Sequence, residues 1–379
     1  MHKLRLFLLS GTHFCVDSYA TMLTPVLPLI NERLGLSLAV AGFLGTILSA
    51  CNLTQPLMGL WGDRMSRRSL ITGGALMAAV FVPLLGVAPN FTTLAIVLFL
   101  GGIGVAAFHP QSFALVGEIT SERRTSGIAV YAFAGTLGIA FTPLWVPVLV
   151  DNFGLGSLPL ASLPGILAVA LVARFASDRR PTSEINRKGG QLRSLRGHAA
   201  PLLLIVFVVV LRTVTFLGFG FFLTQLGRER GLSLVEGSIP LAAYNLAAVI
   251  GSLIAGFLAN RRNGRMIVVL SILIACPALL SYLHADGIEG YLYLILGGFG
   301  IMASNAVLIA MAQELAPKNT ALASSLPLGL SWGLASLSLP LIGYLADNIG
   351  IAGALHYLAL LPLITAIFAA FLPARKTGN

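Results

Sequence analysis

The chain has 379 residues, of which 56% are hydrophobic and only 10% charged, with a formal net charge of +10 and a mean hydropathy of +0.89. A soluble domain carries roughly 25% charged residues, so this composition cannot cover a water-facing surface. Nucleic-acid binding is excluded as well: the basic residues fall in short clusters between apolar runs, the distribution that orients a protein in a bilayer.

Twelve apolar runs predict twelve membrane spans, at about 5–30, 37–61, 68–88, 92–115, 125–150, 157–174, 201–226, 234–258, 265–284, 289–314, 320–346 and 352–372. Each is near the roughly 20 residues a helix needs to cross the hydrocarbon core. The first run lacks a small-residue cleavage site and reads as a span, not a cleaved signal. In its middle, His13 and Asp17 stand four residues apart and share one helical face. A carboxylate there costs on the order of 2.5–3.5 kcal/mol even on a lenient insertion scale, which marks it as functional. Cys15, Cys51 and Cys276 lie inside apolar runs and imply no disulfide framework.

Most Lys and Arg residues, including Lys3, Arg5, Arg64, Arg123, Arg124, Arg261 and Arg262, fall on one side of the predicted membrane. Only Arg33, Arg228 and Arg230 fall on the other, which puts both termini in the cytoplasm. The expected fold is an all-α integral membrane protein of twelve transmembrane helices in two six-helix halves, residues 1–174 and 200–379. A cytoplasmic linker, 175–199, rich in Arg, Ser and Gly, joins them. The halves look like repeats. Gly35-Leu36-Ser37-Leu38 matches Gly231-Leu232-Ser233-Leu234, Asp151-Asn152-Phe153-Gly154 matches Asp347-Asn348-Ile349-Gly350, and Glu118 matches Glu314, all at an offset of 196 residues. Such parallel halves are a known transporter plan.

The loop after the second span reads Gly59-Leu60-Trp61-Gly62-Asp63-Arg64-Met65-Ser66-Arg67-Arg68. It resembles the loop signature of the major facilitator superfamily, with Ser66 where that family usually has glycine. Gly59, Asp63, Arg64, Arg67 and Arg68 are thereby expected to form a cytoplasmic gate, the acid either capping the next helix or pairing with arginine across its mouth. The second-half counterpart has Asn260 in place of the acid, so a second latch would be weaker. A narrower resemblance rests on His13-Phe14-Cys15-Val16-Asp17, on Gln55-Pro56-Leu57-Met58-Gly59 and on Phe108-His109-Pro110. These are similar to the fosmidomycin-resistance branch, whose members are bacterial inner-membrane exporters exchanging a drug for protons. The antiporter motif of the fifth span is degenerate: Gly135, Gly138 and Pro143 remain, but Thr142 replaces a glycine.

In that family the first helix of each triplet lines the transport path, here spans one, four, seven and ten. The intramembrane polar residues His13 and Asp17, His109, Arg212 and Asn305 fall on these four. Arg212 is the one Lys or Arg deep in a span. It is either a fixed partner of Asp17 or an anion site, since a guanidinium matches carboxylate and phosphonate in a bidentate way. Asp17 is the expected protonation site. His13 either relays protons or only hydrogen-bonds Asp17, and His109 either lines the site or satisfies carbonyls freed by Pro110. Tyr19, Phe108, Gln111, Tyr131, Phe216, Tyr244, Asn245 and Asn305 are candidate wall residues. No phosphate-cradling loop, metal-ligand spacing or cofactor motif is present, which speaks against an enzyme or an ATP-driven pump. The expected protein is a monomeric, multi-pass carrier of the bacterial inner membrane. Its partners are a small, anionic organic compound or drug, protons and the lipid bilayer. Proton-driven export is the first reading, organic-anion uptake with protons the second, and a non-transporting receptor or scaffold the third.

Overall fold

The computed structural model describes residues 2–55, 57–58, 67–120, 124–176, 199–259, 263–316 and 326–373, and every regular element among them is helical. In chain order these are α1 (His2–Ala20), α2 (Leu23–Leu34), α3 (Leu38–Ala50), α4 (Arg67–Phe81), α5 (Phe91–Ile119), α6 (Arg124–Phe153) and α7 (Ser162–Leu171). They continue as α8 (Ala199–Glu229), α9 (Leu234–Ala259), α10 (Gly264–His284), α11 (Gly287–Leu315), α12 (Ser331–Ser336), α13 (Leu339–Ile349) and α14 (Ile351–Ala369). Among the described residues, nine helices are long and apolar enough to cross a membrane. The protein is therefore an all-α, multi-pass membrane fold.

Three expected spans are not single long helices. The run 5–30 breaks at Thr21–Met22 into α1 and α2. Pro25 has no N–H for the Thr21 carbonyl, which accepts from Thr24 instead, at 3.3 Å. The run 37–61 is an apolar helix over Leu38–Thr54, its last turn tightened to a 3-10 form, and its end at 59–61 lies outside the described residues. The run 320–346 consists, where described, of a π turn at Leu326–Leu330, then α12 and α13, separated at Leu337–Ser338. Most of the linker, 177–198, lies outside the described residues.

The sequence repeat has a structural cause. Gly35 ends α2 at φ +62°, and Ser37 caps α3 by accepting from the Val40 N–H at 3.3 Å. Gly231 follows α8 at φ +79°, and Ser233 and Glu236 cap α9 reciprocally at 2.9 and 3.2 Å. Only glycine adopts this left-handed stop without a Cβ penalty, and serine starts the next helix by taking up an orphan N–H. The second matched pair repeats a bond: Asn152 donates to the Val148 carbonyl and Asn348 to the Tyr344 carbonyl, each at 2.7 Å. Close helix approach repeats too. A Cβ on Gly102 would lie 2.6 Å from the Leu48 carbonyl, and one on Gly298 would lie 2.6 Å from that of Tyr244. Both pairs are 196 residues apart. Small residues here let backbones meet without lipid between them.

The chain forms two compact units, Met1–Ile185 with Thr224–Ala242, and Asn186–Leu223 with Ala243–Asn379. In the first, the C-terminal end of α8 is tied to α2. Arg228 Nε donates to Glu32 Oε1 at 2.8 Å, and the Thr224 hydroxyl donates to the Thr24 carbonyl at 2.8 Å. The second has an apolar core of residues such as Ile205, Val208, Ile272, Val307 and Leu308.

Candidate functional sites

In the first unit, Asp17 is the centre of a buried cluster. His13 is one turn back on α1, so its Nε2 reaches Asp17 Oδ2 at 3.2 Å. His109, from α5, brings its Nε2 to Asp17 Oδ1 at 2.9 Å. Both histidines are held from behind: His13 Nδ1 donates to the Tyr131 carbonyl and His109 Nδ1 to the Val105 carbonyl, each at 2.8 Å. Both carboxylate oxygens of Asp17 are thus met by histidine nitrogens. The carbonyl that Pro110 leaves free is that of Ala106, so the bond to Val105 does not repair the proline break. The Tyr131 ring stacks on His13 at 4.2 Å between centroids and 17° between planes, while Phe113 meets His13 edge-on at 5.6 Å. The three donor atoms lie within 4.8 Å of one another, a spacing a metal would also accept. The 2.9 and 3.2 Å contacts are ordinary hydrogen-bond distances between nitrogen and oxygen.

The floor of this cluster is Gly135, a glycine of the degenerate fifth-span motif. A Cβ on Gly135 would lie 2.5 Å from His13 Cε1 and Nε2 and closer still to Asp17 Oδ2. Gly138, one turn on, likewise abuts the Phe14 carbonyl. The two glycines of the degenerate motif thus seat α6 directly on the charged face of α1. Thr142, the motif's departure, donates to the Gly138 carbonyl at 2.7 Å and pairs with the Ser18 hydroxyl at 2.7 Å.

Other expected wall residues of this unit are spent on the fold. Tyr19 donates to the Ala161 carbonyl at 2.7 Å and accepts from the Gly165 N–H at 3.0 Å. Phe108 is fully buried, and Gln111 donates to the Met58 carbonyl at 3.2 Å. The Tyr131 hydroxyl donates to Ser112 Oγ at 2.5 Å. Of the expected gate, Gly59, Asp63 and Arg64 lie outside the described residues. Arg67, buried at the start of α4, pairs with Glu118 at the end of α5, Nη1 to Oε2 at 2.6 Å, and Arg68 is its neighbour on α4.

In the second unit, Arg212 lies fully buried in α8. Its Nη2 donates to Asn305 Oδ1 at 3.0 Å and its Nη1 to the Met302 sulfur, both on α11. Its buried Nε has no hydrogen-bond partner among the described residues. Beside it in sequence, Phe216 stacks on Tyr244 at 5.1 Å and 17°, and Trp332 meets Phe216 edge-on at 6.0 Å. Asn245 is buried on α9 next to Tyr244. The structure thus brings Arg212 and Asn305 together, as it does Asp17, His13 and His109.

Ionisable side chains kept in the interior of membrane spans mark functional sites inside the bilayer. The profile of the Major Facilitator Superfamily matches residues 9–326, and the chain belongs to that superfamily. It is 24% identical to the fosmidomycin resistance protein of Escherichia coli K12, over 97% of this chain and 92% of that protein. It is also 24% identical to the benzoate transport protein of Acinetobacter baylyi, over 87% of this chain and 79% of that one. Among solved structures, a bacterial homologue of the human lysosomal transporter Spinster, inward-facing and occupied, has the same fold. Its TM-score is 0.82 at 16% identity, over 96% of this chain and 95% of that one. The chain is a secondary transporter of the bacterial inner membrane that works by alternating access.

Proposed function

We propose that the protein carries small organic anions in exchange for protons, with export as its direction. In this reading, twelve spans form two six-helix halves with both termini in the cytoplasm, and the protein belongs to the fosmidomycin-resistance branch. One observation carries the anion: Arg212 is fully buried, yet its hydrogen bonds among the described residues go to a neutral amide and a thioether. A desolvated guanidinium with neutral partners is an uncompensated charge, and a carboxylate or phosphonate is the group that compensates it. Asp17 with its two histidines is the proton site, because imidazole is the side chain that changes charge near neutral pH. The aromatic residues Phe216, Tyr244 and Trp332 supply an apolar wall for the organic part of the substrate.

A second reading, uptake of an aromatic acid together with protons, is favoured by the likeness to a benzoate transport protein. Proteoliposomes separate the two by the sign of the gradient. With benzoate and fosmidomycin as probes, an exchanger fills vesicles that are acid inside, whereas a symporter fills vesicles placed in acid medium. Arg212→Gln is expected to abolish movement of either probe. Flux that survives this substitution would overturn the anion site, and a lack of flux for any of a broad anion panel would favour a scaffold.

A further inference from the structure

The hydrogen bonds of the Asp17 cluster permit a proton count. A carbonyl oxygen can only accept, so Nδ1 of His13, facing Tyr131, and Nδ1 of His109, facing Val105, each carry hydrogen. A neutral imidazole with hydrogen on Nδ1 presents a bare lone pair at Nε2. Each Nε2 faces a carboxylate oxygen, at 3.2 Å for His13 and 2.9 Å for His109. Two lone pairs do not hold together at such distances, so each contact needs one bridging proton. With both bridges filled the cluster has a net charge of +1, whichever heavy atoms hold the protons. With one filled it is neutral, and one contact must part.

The two histidines differ in which can part. His13 is clamped: it is on the same helix as Asp17, stacked under Tyr131, touched by Phe113, and pressed against the Gly135 backbone. Its side chain is 3% exposed, whereas that of His109 is 16% exposed and reaches Asp17 from another helix. The groups facing Asp17 are His13 on α1, His109 on α5 and Tyr131 on α6. The Tyr131 hydrogen is committed to Ser112, whose hydroxyl in turn donates to the Phe108 carbonyl at 2.8 Å.

We infer that the closed His13–Asp17–His109 cluster holds two protons, and that His109 is the member that gives one up while His13 keeps Asp17 in place. This rests on the proton-coupled reading above. In the release step the bridging proton between His109 Nε2 and Asp17 Oδ1 passes to water. His109 is left neutral with hydrogen on Nδ1, Asp17 keeps the proton it shares with His13, and the cluster charge falls from +1 to 0. Motion of α5 against α1 then follows from loss of that one contact.

The test is nitrogen-15 NMR of the full-length protein, labelled at histidine, in lipid nanodiscs across a pH series. Signals are assigned with His13→Asn and His109→Asn, and with His13→Gln and His109→Gln should either fail to fold. In acid, both rings are expected to show hydrogen on Nδ1 and a bridging proton at Nε2. As pH rises, the His109 Nε2 signal should move to that of bare imidazole while His13 is unchanged. Release from His13 first, loss of both protons in one step, or a bare Nδ1 on either ring would overturn the inference. None of these readouts needs a substrate, so a failed flux assay and a failed proton count are distinct results. Two bridging protons with flux indifferent to the pH gradient would overturn the coupling reading alone.

Discussion

The two charged sites have opposite chemistry, and the side chains that answer the charges occupy equivalent places in the repeat. His109 on α5 and Asn305 on α11 are 196 residues apart, the same offset that relates the sequence matches. Each reaches a charged residue on another helix of its unit: His109 to Asp17 at 2.9 Å, and Asn305 to Arg212 at 3.0 Å. In one unit the charge is an acid met by two imidazole rings. In the other the charge is a permanent cation answered by a neutral amide, which leaves room for a counter-charge. In the proposed reading, one site has a charge that protons change and the other a charge that they do not. That is the minimum the proposed proton-coupled carriage of an anion needs.

If this division holds, the two sites fail differently. Arg212→Ala should weaken anion binding by about 100-fold or more, since truncating one partner of a buried charge interaction removes several kcal/mol. Equilibrium binding of radiolabelled benzoate to purified protein reads this directly, and a loss below about threefold would break the comparison. Next in size is Asp17→Asn. It removes the carboxylate that both bridging protons need, so transport should continue down an anion gradient but lose its response to a pH gradient. The proteoliposome flux assay, run with and without the gradient, checks it. An unchanged response would move proton coupling elsewhere in the molecule.

The charged centres were legible from sequence because lipid makes them rare. A carboxylate and a guanidinium inside apolar runs stand out whatever they touch. The spacing of His13 and Asp17 on one helix was legible for the same geometric reason that makes i and i+4 neighbours. Partner choice was not. His109 and Asp17 are 92 residues apart on different helices, and nothing in a hydropathy pattern sets the rotation of α5 against α1. Opposite charge left Arg212 open as a partner of Asp17 beside its reading as an anion site, while local geometry brings an imidazole to each carboxylate oxygen. Tyr19 read as a wall residue because an aromatic in a path-lining span has two uses. Its hydroxyl in fact bridges the Ala161 carbonyl and the Gly165 N–H, a bond that a sequence does not display. Among the spans, Pro25 and Pro28 were the signal that the first run would bend, and treating apolar length alone as the criterion hid it.

Gly135 sharpens the comparison at smaller scale. Its Cα is the surface on which His13 and Asp17 rest, and an added methyl would overlap both. Overpacking of this kind costs about 1–3 kcal/mol, so Gly135→Ala should lower the melting temperature and loosen the cluster while leaving benzoate affinity at the Arg212 site intact. A melting curve and a binding isotherm on one preparation would show whether the two effects separate. The smallest effect is expected at the other end of α5. Arg67 and Glu118 pair at 2.6 Å, but the Glu118 side chain is 43% exposed, so solvent screens the interaction. Glu118→Gln should therefore change stability by about 1 kcal/mol or less in a thermal unfolding measurement. Because Arg67 belongs to the gate motif and is itself buried, the same substitution should still alter the rate of exchange between the two access states. That can be followed by the accessibility of a cysteine introduced near the start of α4. A large stability loss with an unchanged exchange rate would make this pair a structural clamp and leave alternating access to the two charged sites.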